Sequence, residues 1–495
     1  MLQYGSFLLN IYIRNTTENE CVCGALILLA VEGVSIDNKA LGASVSALLG
    51  KISKDEFQGK KNELLLIPAP DDIKPKKILL VGLGKKDAIG PDGIRQAGGK
   101  ALAHLRTAGV RRAALSTLTL SELALSPSYF VEGALLGLYT YDRYKKEKES
   151  KTVTDITIVG KPSKAFGDQI EITKALAAGV SFARNLVNTP SNDMTPSDMA
   201  KSALSLKGKN LSVRILEKKD CEKLGMGSYL SVSKGSAEPP KFIVLEYRGA
   251  RSAPLVLIGK SVTFDSGGIN IKPSDGLEKM KYDMAGGAAV LGIMKAVAAL
   301  KLPVSLVGIL PAAENLPGGH ATRPGDIVTA IDGTTIEIIN TDAEGRLTLA
   351  DALGYAKRFK PSAIIDIATL TGACSIAFGN ETIAMMGTDR SLLETVKQAA
   401  EFTNEKVWEM PLYEEYREYL KSDVADIKNV GSRTGSLVTS ARFLKEFAGD
   451  TPWVHLDIAG TAWTEKDKPY TPKGASGIGV RLILDVILRS LRRIA

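Results

Sequence analysis

Apolar and polar positions follow two alternating periods along the chain. Short apolar runs bounded by Gly, Pro, Asn or charged residues predict strands, whereas apolar residues spaced three and four apart predict helices. The predicted strands are 7–13, 25–30, 64–67, 78–81, 156–159, 212–216, 242–247, 255–258, 305–310, 336–339, 363–367 and 454–458. The predicted helices are 93–108, 129–141, 170–187, a short one after 195–196, 284–300, 348–358, 391–403, 413–420 and 478–490.

Strands interleaved with helices predict an α/β protein of two domains, each with a mostly parallel or mixed sheet flanked by helices. The charged stretch 143–151 has no apolar periodicity and predicts a solvated loop near the end of the first domain. We therefore expect an N-terminal α/β domain, residues 1–165, for oligomerisation or an accessory role. Residues 166–495 would form the catalytic domain, with its site beyond the carboxyl ends of the strands.

Composition narrows the class of protein. The 495 residues are 44% apolar and 24% charged, which is typical of a soluble α/β protein. The net charge of +8 is small over this length, so a mixed solvated surface is favoured over a DNA-binding one. The chain lacks both a run of about 18 apolar residues and the features of a signal peptide, so we expect a cytoplasmic protein without a membrane partner. The low number of cysteines is consistent with the reducing cytoplasm, and we expect all four to be buried.

Three acidic residues follow predicted strands. Asp265 lies beyond the strand at 255–258 and precedes a Ser-Gly-Gly turn, where backbone can approach a ligand closely. Asp342 and Glu344 follow the strand at 336–339, and in extended chain their side chains would point the same way. Like charges this close repel unless a cation lies between them, and a metal ion is the simplest such cation.

Asp283 is a fourth candidate ligand. On a helix its neighbours would include Met280 and Gly287, which do not form an ordinary solvated face. A carboxylate in apolar surroundings destabilises the fold by several kcal/mol unless it is paired or bound to a metal. Alone, Asp283 could equally be a surface acid.

Two lysines and an arginine complete the set. Lys260 and Lys272 bracket Asp265 in the sequence. A deprotonated lysine amine can bind a metal, and a charged one can stabilise an oxyanion. Arg346 offers a planar fork to a carboxylate-like anion. Each residue alone could be structural, but together with the acids they provide ligands for two ions.

Histidine is scarce: the chain has only His104, His320 and His455. This argues against H-E-x-x-H zinc proteases and histidine-based triads. His320 is expected to cap a loop, and His455 lies in an apolar strand as a core residue. Oxygen ligands with few histidines favour Mn²⁺ or Mg²⁺, and Zn²⁺ stays open.

At these residues the sequence closely resembles the leucyl aminopeptidase family, the cytosol aminopeptidases. Residues 340–347 (NTDAEGRL) are that family's signature. Further resemblance lies in 260–268 (KSVTFDSGG), Lys272-Pro273, 280–285 (MKYDMA) and 368–372 (ATLTG). It extends from about residue 170 to the C-terminus, and Ser261 departs from the family's more common Gly.

The resemblance implies roles for these positions. Two divalent ions, Mn²⁺ first and Zn²⁺ or Mg²⁺ as alternatives, would be held by Lys260, Asp265, Asp283, Asp342 and Glu344. Asp265 and Glu344 would bridge them. Lys272 would stabilise the oxyanion, and Arg346 would hold a bicarbonate ion as general base. The pocket for the substrate's first side chain would be formed by Met280, Thr369, Leu370 and Gly372. Similar enzymes are homohexamers.

The function that follows is a metallo-exopeptidase acting in peptide turnover. It would hydrolyse leucine or another apolar residue from the N-terminus of peptides, through a water that bridges the two metals. A two-metal phosphoesterase is a rival, but its best phosphate loop, residues 82–87, places Asp87 where a glycine is needed. DNA binding, through the basic runs 74–77 and 145–151, is a second rival or a secondary role.

Overall fold

The computed structural model describes residues 9–34, 41–147, 152–161 and 163–494, with side chains described as far as residue 491. The chain divides into two compact units. Unit 1 comprises Met1–Ala177 and Lys466–Lys473, and unit 2 comprises Ala178–Glu465 and Gly474–Ala495. No sequence pattern predicts that Lys466–Lys473 belongs to unit 1. The division into domains at residues 165/166 stays a prediction.

The described part of unit 1 is built on a six-stranded sheet. Its strands are β1 (Asn10–Arg14), β2 (Ala25–Val31), β3 (Leu64–Pro68), β4 (Lys77–Gly84), β5 (Arg112–Ser116) and β6 (Asp155–Val159). They lie in the order β1-β6-β5-β2-β4-β3, and every pair is parallel except β3 with β4. Its helices are α1 (Ala43–Leu49), α2 (Pro91–Thr107), α3 (Leu118–Glu122), α4 (Pro127–Gly137) and the first part of α5 (Lys164–Asn188).

Unit 2 contains a larger mixed sheet. The strands of the whole unit are β7 (Leu211–Leu216), β8 (Lys241–Arg248), β9 (Leu255–Gly259), β10 (Ser261–Asp265), β11 (Ser305–Asn315), β12 (Ile327–Thr329), β13 (Thr335–Glu337), β14 (Ala363–Ala368), β15 (Ile383–Gly387), β16 (Val407–Glu409), β17 (Ile427–Lys428), β18 (Trp453–Asp457), β19 (Trp463–Thr464) and β20 (Gly474–Ala475). Strands β12, β13 and β17 form a separate three-stranded sheet, and β19 and β20 form a two-stranded one. The main sheet has the order β16-β15-β18-β14-β9-β11-β8-β7, with β10 paired to β11. Strands β9, β14 and β18 are parallel and central.

Nine helices of the described chain lie wholly in unit 2. They are α6 (Pro196–Leu204), α7 (Lys218–Lys223), α8 (Gly227–Val232), α9 (Ala285–Leu300), α10 (Gly345–Ala356), α11 (Gly372–Phe378), α12 (Arg390–Thr403), α13 (Ser436–Ala448) and α14 (Val480–Ile494). Both units therefore have sheets flanked by helices, and the predicted α/β fold class is confirmed.

Glycines let α9 begin very close to the central strands. A Cβ at Gly286 would lie 2.0 Å from the carbonyl oxygen of Ile367, and one at Gly287 would lie 2.1 Å from Ser261 Oγ. A Cβ at Gly259 would lie 2.5 Å from the carbonyl oxygen of Gly286. Because no larger residue fits, these glycines draw the start of α9, and Asp283 just before it, against the end of β9.

Several sequence predictions differ from the structure. The helix predicted at 413–420 is a 3-10 segment, Glu414–Leu420. The first predicted strand begins at residue 7, outside the described residues, and β1 starts at Asn10.

Among the described residues, the helical stretch Leu277–Leu300 is long and apolar enough to span a membrane. However, 78% of the most apolar 18 residues of this stretch is buried inside the protein, as in the core helix of a globular domain. All four cysteines are buried and free, as predicted.

Candidate active site

The candidate ligands lie where the central strands end. Lys260 sits between β9 and β10, and Asp265 is the last residue of β10 rather than a turn residue beyond β9. Asp342 and Glu344 occupy a turn that leads into α10, where Glu344 is the N-cap. The extended conformation assumed for these two acids is therefore wrong, and it is the turn that brings them together.

The structure brings three of the four acids into one cluster. A carboxylate oxygen from each of Asp265, Asp342 and Glu344 lies within 4.8 Å of the other two. Asp283 is not part of this trio. It is linked to it through Lys260, whose Nζ lies 2.9 Å from Asp283 Oδ2 and 2.8 Å from Glu344 Oε1. All four acids thus share one region, although their spacing along the chain is long.

Lys272 pairs with the other side of the cluster. Its Nζ lies 2.8 Å from Asp265 Oδ2 and also contacts Asp342 Oδ1. Its side chain keeps 22% of its surface exposed, whereas that of Lys260 keeps 3%. Lys272 can therefore face an incoming substrate, while Lys260 is enclosed between acids.

Burial and neighbouring charges oppose each other in this cluster. Burial raises the pKa of Asp265 to about 6, with Glu344 adding to the effect and Lys272 opposing it. Burial favours the neutral amine of Lys272, but the carboxylates of Asp265 and Glu344 outweigh it and raise its pKa. Lys272 is therefore a fixed positive charge.

The donor set fits a pair of divalent ions. Asp283 Oδ2, Asp342 Oδ1 and Glu344 Oε1 are buried, and the partners that the described residues offer them are the amines of Lys260 and Lys272. Four carboxylates face two amines, which leaves an excess of negative charge in a buried place. Hard oxygen donors of this kind suit Mn²⁺, Mg²⁺ or Zn²⁺.

Arg346 lies beside the cluster as the second residue of α10. Its Nη1 donates to the carbonyl oxygen of Asn429 at 2.8 Å, and its buried Nε has no hydrogen-bond partner among the described residues. Burial lowers the pKa of Arg346 to about 10, with Glu344 opposing the shift, so the guanidinium stays charged at neutral pH. A free, buried N–H on a cation fits a small anion.

Two asparagines that sequence reasoning missed hold this arrangement. Asn315 ends β11, and its Nδ2 donates to Asp265 Oδ1 at 2.8 Å and to the carbonyl oxygen of Thr341 at 3.0 Å. Asn429 accepts from the backbone N–H of Ile339 at 2.9 Å and donates to the carbonyl oxygen of Asn340 at 2.7 Å. Asn315 could have been identified from the sequence as a polar residue at the end of an apolar strand. Asn429 has no such local signal.

The proposed pocket residues lie on two adjoining segments. Thr369 Oγ1 donates to Asp283 Oδ1 at 2.7 Å, and the carbonyl oxygen of Thr369 accepts from Lys260 Nζ at 2.9 Å. Leu370 is half-buried, and Gly372, the first residue of α11, is exposed with open space around it. Met280 is half-buried in the 3-10 segment Leu277–Met284, which also carries Asp283. The segment carrying Met280 therefore meets the Thr369 loop at Asp283.

Comparison with known proteins identifies the family of this chain. Residues 181–484 match the catalytic domain of the cytosol aminopeptidase family, and residues 29–148 match that family's N-terminal domain. A probable cytosol aminopeptidase of Geobacter sp. is 47% identical over 455 residues, covering 90% of this chain and 93% of that protein. One of Nitrosococcus oceani is 40% identical over 500 residues, covering 97% and 98%.

Solved structures give the same result. A mutant of tomato leucine aminopeptidase matches with a TM-score of 0.88 and 35% identity, covering 97% of this chain and 96% of that one. The bottromycin maturation enzyme BotP in complex with Mn matches with a TM-score of 0.83 and 32% identity, covering 95% and 99%. The phosphoesterase alternative is therefore wrong. The chain belongs to the cytosol (leucyl) aminopeptidase family, whose members are hydrolases with a pair of metal ions that remove residues from the N-termini of peptides.

Proposed function

We propose that the protein removes leucine or another apolar residue from peptide N-termini, and that its two metal ions are bound by Lys260, Asp265, Asp283, Asp342 and Glu344. The observation that carries this proposal is the convergence of three carboxylates within 4.8 Å. The buried carboxylate oxygens of Asp283, Asp342 and Glu344, which face lysine amines, and the negative excess around them support it. Mn²⁺ is the first choice, since oxygen donors dominate the set, and Zn²⁺ or Mg²⁺ are alternatives.

Bound ions would supply an acidified bridging water and would polarise the scissile carbonyl. Lys272 would stabilise the oxyanion that forms on the substrate, because neighbouring carboxylates keep its amine charged and its side chain is partly exposed. Lys260 would act as a ligand only after losing its proton, so metal binding would release one.

Arg346 would hold a bicarbonate ion that acts as general base. Its unpartnered Nε supports this role, and its bond to Asn429 fixes the direction of the guanidinium. Because the described site offers no histidine to carry a proton, a bound anion is a suitable carrier. The proton would pass from the attacking water to the leaving amine.

The side chain of the substrate's first residue would enter the space beside Thr369, Leu370 and Gly372, with Met280 bordering it. The open surroundings of Gly372 and the half-buried side chains of Leu370 and Met280 support an apolar pocket. Burial of a leucine side chain stabilises a complex by roughly 1.5–3 kcal/mol, which would produce the preference.

The test is hydrolysis of leucine amide after metals are removed with a chelator and Mn²⁺ is restored. Activity should vanish and return, and N-acetyl-leucine amide, which lacks a free amine, should not be cleaved. Asp342→Ala and Glu344→Ala should each lose activity and bound manganese together. Normal turnover by either variant would exclude this site.

The quaternary structure and location are also proposals. We propose a homohexamer in the cytoplasm that acts on peptide substrates, on the strength of the family to which the chain belongs. Light scattering coupled to gel filtration should give about six times the chain mass of 52.8 kDa. A stable monomer with full activity would exclude the hexamer as a requirement.

DNA binding stays a secondary proposal. In unit 1 a groove is lined by basic residues that include Lys100, Lys145, Lys468 and Lys473, although Asp142 and Asp467 also line it. Such a surface could contact a phosphate backbone. A gel-shift assay at increasing salt tests it, since binding that disappears at physiological salt would reflect non-specific charge alone.

A further inference from the structure

A row of buried ionisable side chains lies on one face of the main sheet of unit 2. Asp366 on β14 and His455 on β18 face each other in the parallel register, and Asp366 Oδ1 lies 2.5 Å from His455 Nδ1. Asp366 Oδ2 accepts from Trp453 Nε1 at 2.6 Å. Asp457 is two residues beyond His455 on β18, so its side chain points to the same face. Asp366, His455 and Asp457 are all fully buried.

Asp457 ends this row and holds the loop that carries the pocket residues. Its Oδ1 accepts from the backbone N–H of Leu370 and from that of Ala459, both at 3.1 Å. Its Oδ2 accepts from Thr371 Oγ1 at 2.7 Å. Thr371 Oγ1 in turn accepts from the N–H of Cys374 at 3.1 Å and so caps α11. One carboxylate therefore fixes both residues that separate Thr369 from Gly372.

The charge around Asp457 is balanced from within the fold. Burial raises its pKa, and the neighbouring His455 opposes that shift. Burial disfavours the charged form of His455, but Asp366 and Asp457 outweigh it and raise the pKa of the imidazole. A buried carboxylate destabilises a fold unless hydrogen bonds and opposite charge compensate it; here both oxygens of Asp457 accept hydrogen bonds, and the charge of the neighbouring His455 offsets part of the cost of burial. The buried carboxylate of Asp457 thus holds the backbone of the loop in one conformation through the hydrogen bonds that it accepts.

We propose that Asp457 is a positioning residue for substrate specificity: by fixing the backbone of Leu370 and the hydroxyl of Thr371, it sets the shape of the apolar pocket. Asp457 is not assigned a contact with the metals or with the scissile bond, and it acts through the loop. The inference rests on the proposed function, because Leu370 must line the pocket for its position to affect selectivity.

Three variants separate this role from a structural one. Asp457→Ala removes all three hydrogen bonds. Asp457→Asn keeps an oxygen at the Oδ1 position for the two backbone N–H groups. Asp351→Ala is the matched control, because Asp351 is also fully buried and accepts from two backbone N–H groups, those of Tyr229 and Ile331, both at 2.7 Å. Those contacts do not involve the pocket loop.

The readouts are kcat and KM for leucine amide and alanine amide, with metal content measured on each variant. In Asp457→Ala we expect a higher KM for leucine amide and a leucine-to-alanine ratio of kcat/KM that falls about tenfold, the equivalent of about 1.4 kcal/mol. Metal content should be unchanged. Asp457→Asn should restore the ratio to within about twofold of wild type. Asp351→Ala should lower the melting temperature and leave the ratio unchanged.

Distinct results would overturn the inference. An equal loss for both amides in Asp457→Ala would show that the residue supports the fold or the metals. Failure of Asp457→Asn to restore the ratio would show that charge matters and loop geometry does not. Should Asp457→Ala not fold, Thr371→Val removes the hydroxyl's bond to Asp457 together with its cap on α11 and leaves the Leu370 bond in place, and an unchanged ratio there would count against the proposal. If filling the pocket by Gly372→Val leaves the ratio unaltered, the proposed pocket itself fails.

Discussion

The location of the specificity pocket can be tested by filling it. Gly372 begins α11, and a Cβ built there meets no other atom within 4 Å, so a side chain can be added without strain. In Gly372→Val, the new isopropyl group would occupy the space assigned to the substrate's leucine side chain. Exclusion of that side chain forfeits about 2 kcal/mol of apolar burial, which corresponds to about a thirtyfold loss in kcat/KM.

The assay compares leucine amide with alanine amide, because a methyl group needs little of that space. We expect the leucine-to-alanine ratio of kcat/KM to fall about thirtyfold in Gly372→Val, with kcat for alanine amide nearly unchanged. Gly167→Val is the control, since Gly167 also lies in a helix with no atom within 4 Å of a built Cβ. A ratio that stays at the wild-type value, or falls equally in the control, refutes the assignment of this pocket.

Other predictions address the metals, the anion site and stability. Glu344→Gln should bind less manganese and lose activity on the order of 100-fold or more, because even outer-shell partners of a metal matter 10- to 100-fold; elemental analysis beside the amide assay checks this. Asn429→Ala keeps the backbone carbonyl that accepts from Arg346 but removes the side-chain bonds to Ile339 and Asn340 that hold this carbonyl in position, so kcat should fall about tenfold and more bicarbonate should be required, with metal content unchanged. Manganese at 100 times its Kd should raise the unfolding free energy of the chelator-treated protein by about 2.7 kcal/mol, as measured by denaturant titration; no shift would mean no site specific to the folded state. Burial raises the pKa of Asp351 to about 7, above its value in the unfolded chain. The native state therefore binds this proton more tightly than the unfolded state does, and the stabilisation that the proton gives the folded protein is lost as the pH rises through the folded pKa. In metal-free protein the melting temperature of wild type minus that of Asp351→Asn should therefore shrink from about pH 5 to about pH 8, and a constant difference would contradict the shift.

Many regular elements were readable from the sequence because burial imposes a clear pattern, although β15 and α13, which are also largely buried, were not predicted. Strands β9 and β14 are buried on both faces and form apolar runs, interrupted in β14 by Asp366, so their prediction from the sequence needed no tertiary information. Strand β10 was missed because it follows β9 after a single residue, Lys260, and reads as part of the same run. The segment predicted as a helix at 413–420 carries aromatic and acidic residues at helical spacing, but it forms 3-10 turns.

The acids of the site could be predicted because each is unusual in its local context. Asp342 and Glu344 are close in sequence, and Asp283 lies among small and apolar residues. The local geometry assumed for the pair was wrong, since the turn before α10 is set by contacts with Asn270 and Asn429 from distant segments. Single asparagines of that kind give no periodic signal, because their partners are defined only once the fold is complete.

The short segment Lys466–Lys473 has a consequence for how the protein is made. Pro469 lies so close to Gly99 that a Cβ there would be 2.2 Å from its carbonyl oxygen, and Tyr470 donates a hydrogen bond to Asp92. During translation the first 177 residues emerge long before these partners exist, and domains tend to fold as they emerge. The surface of α2 around Gly99 is therefore exposed to water, and to chaperones, until Lys466–Lys473 has been synthesised. A fragment truncated after Ala177 would keep that exposed surface permanently.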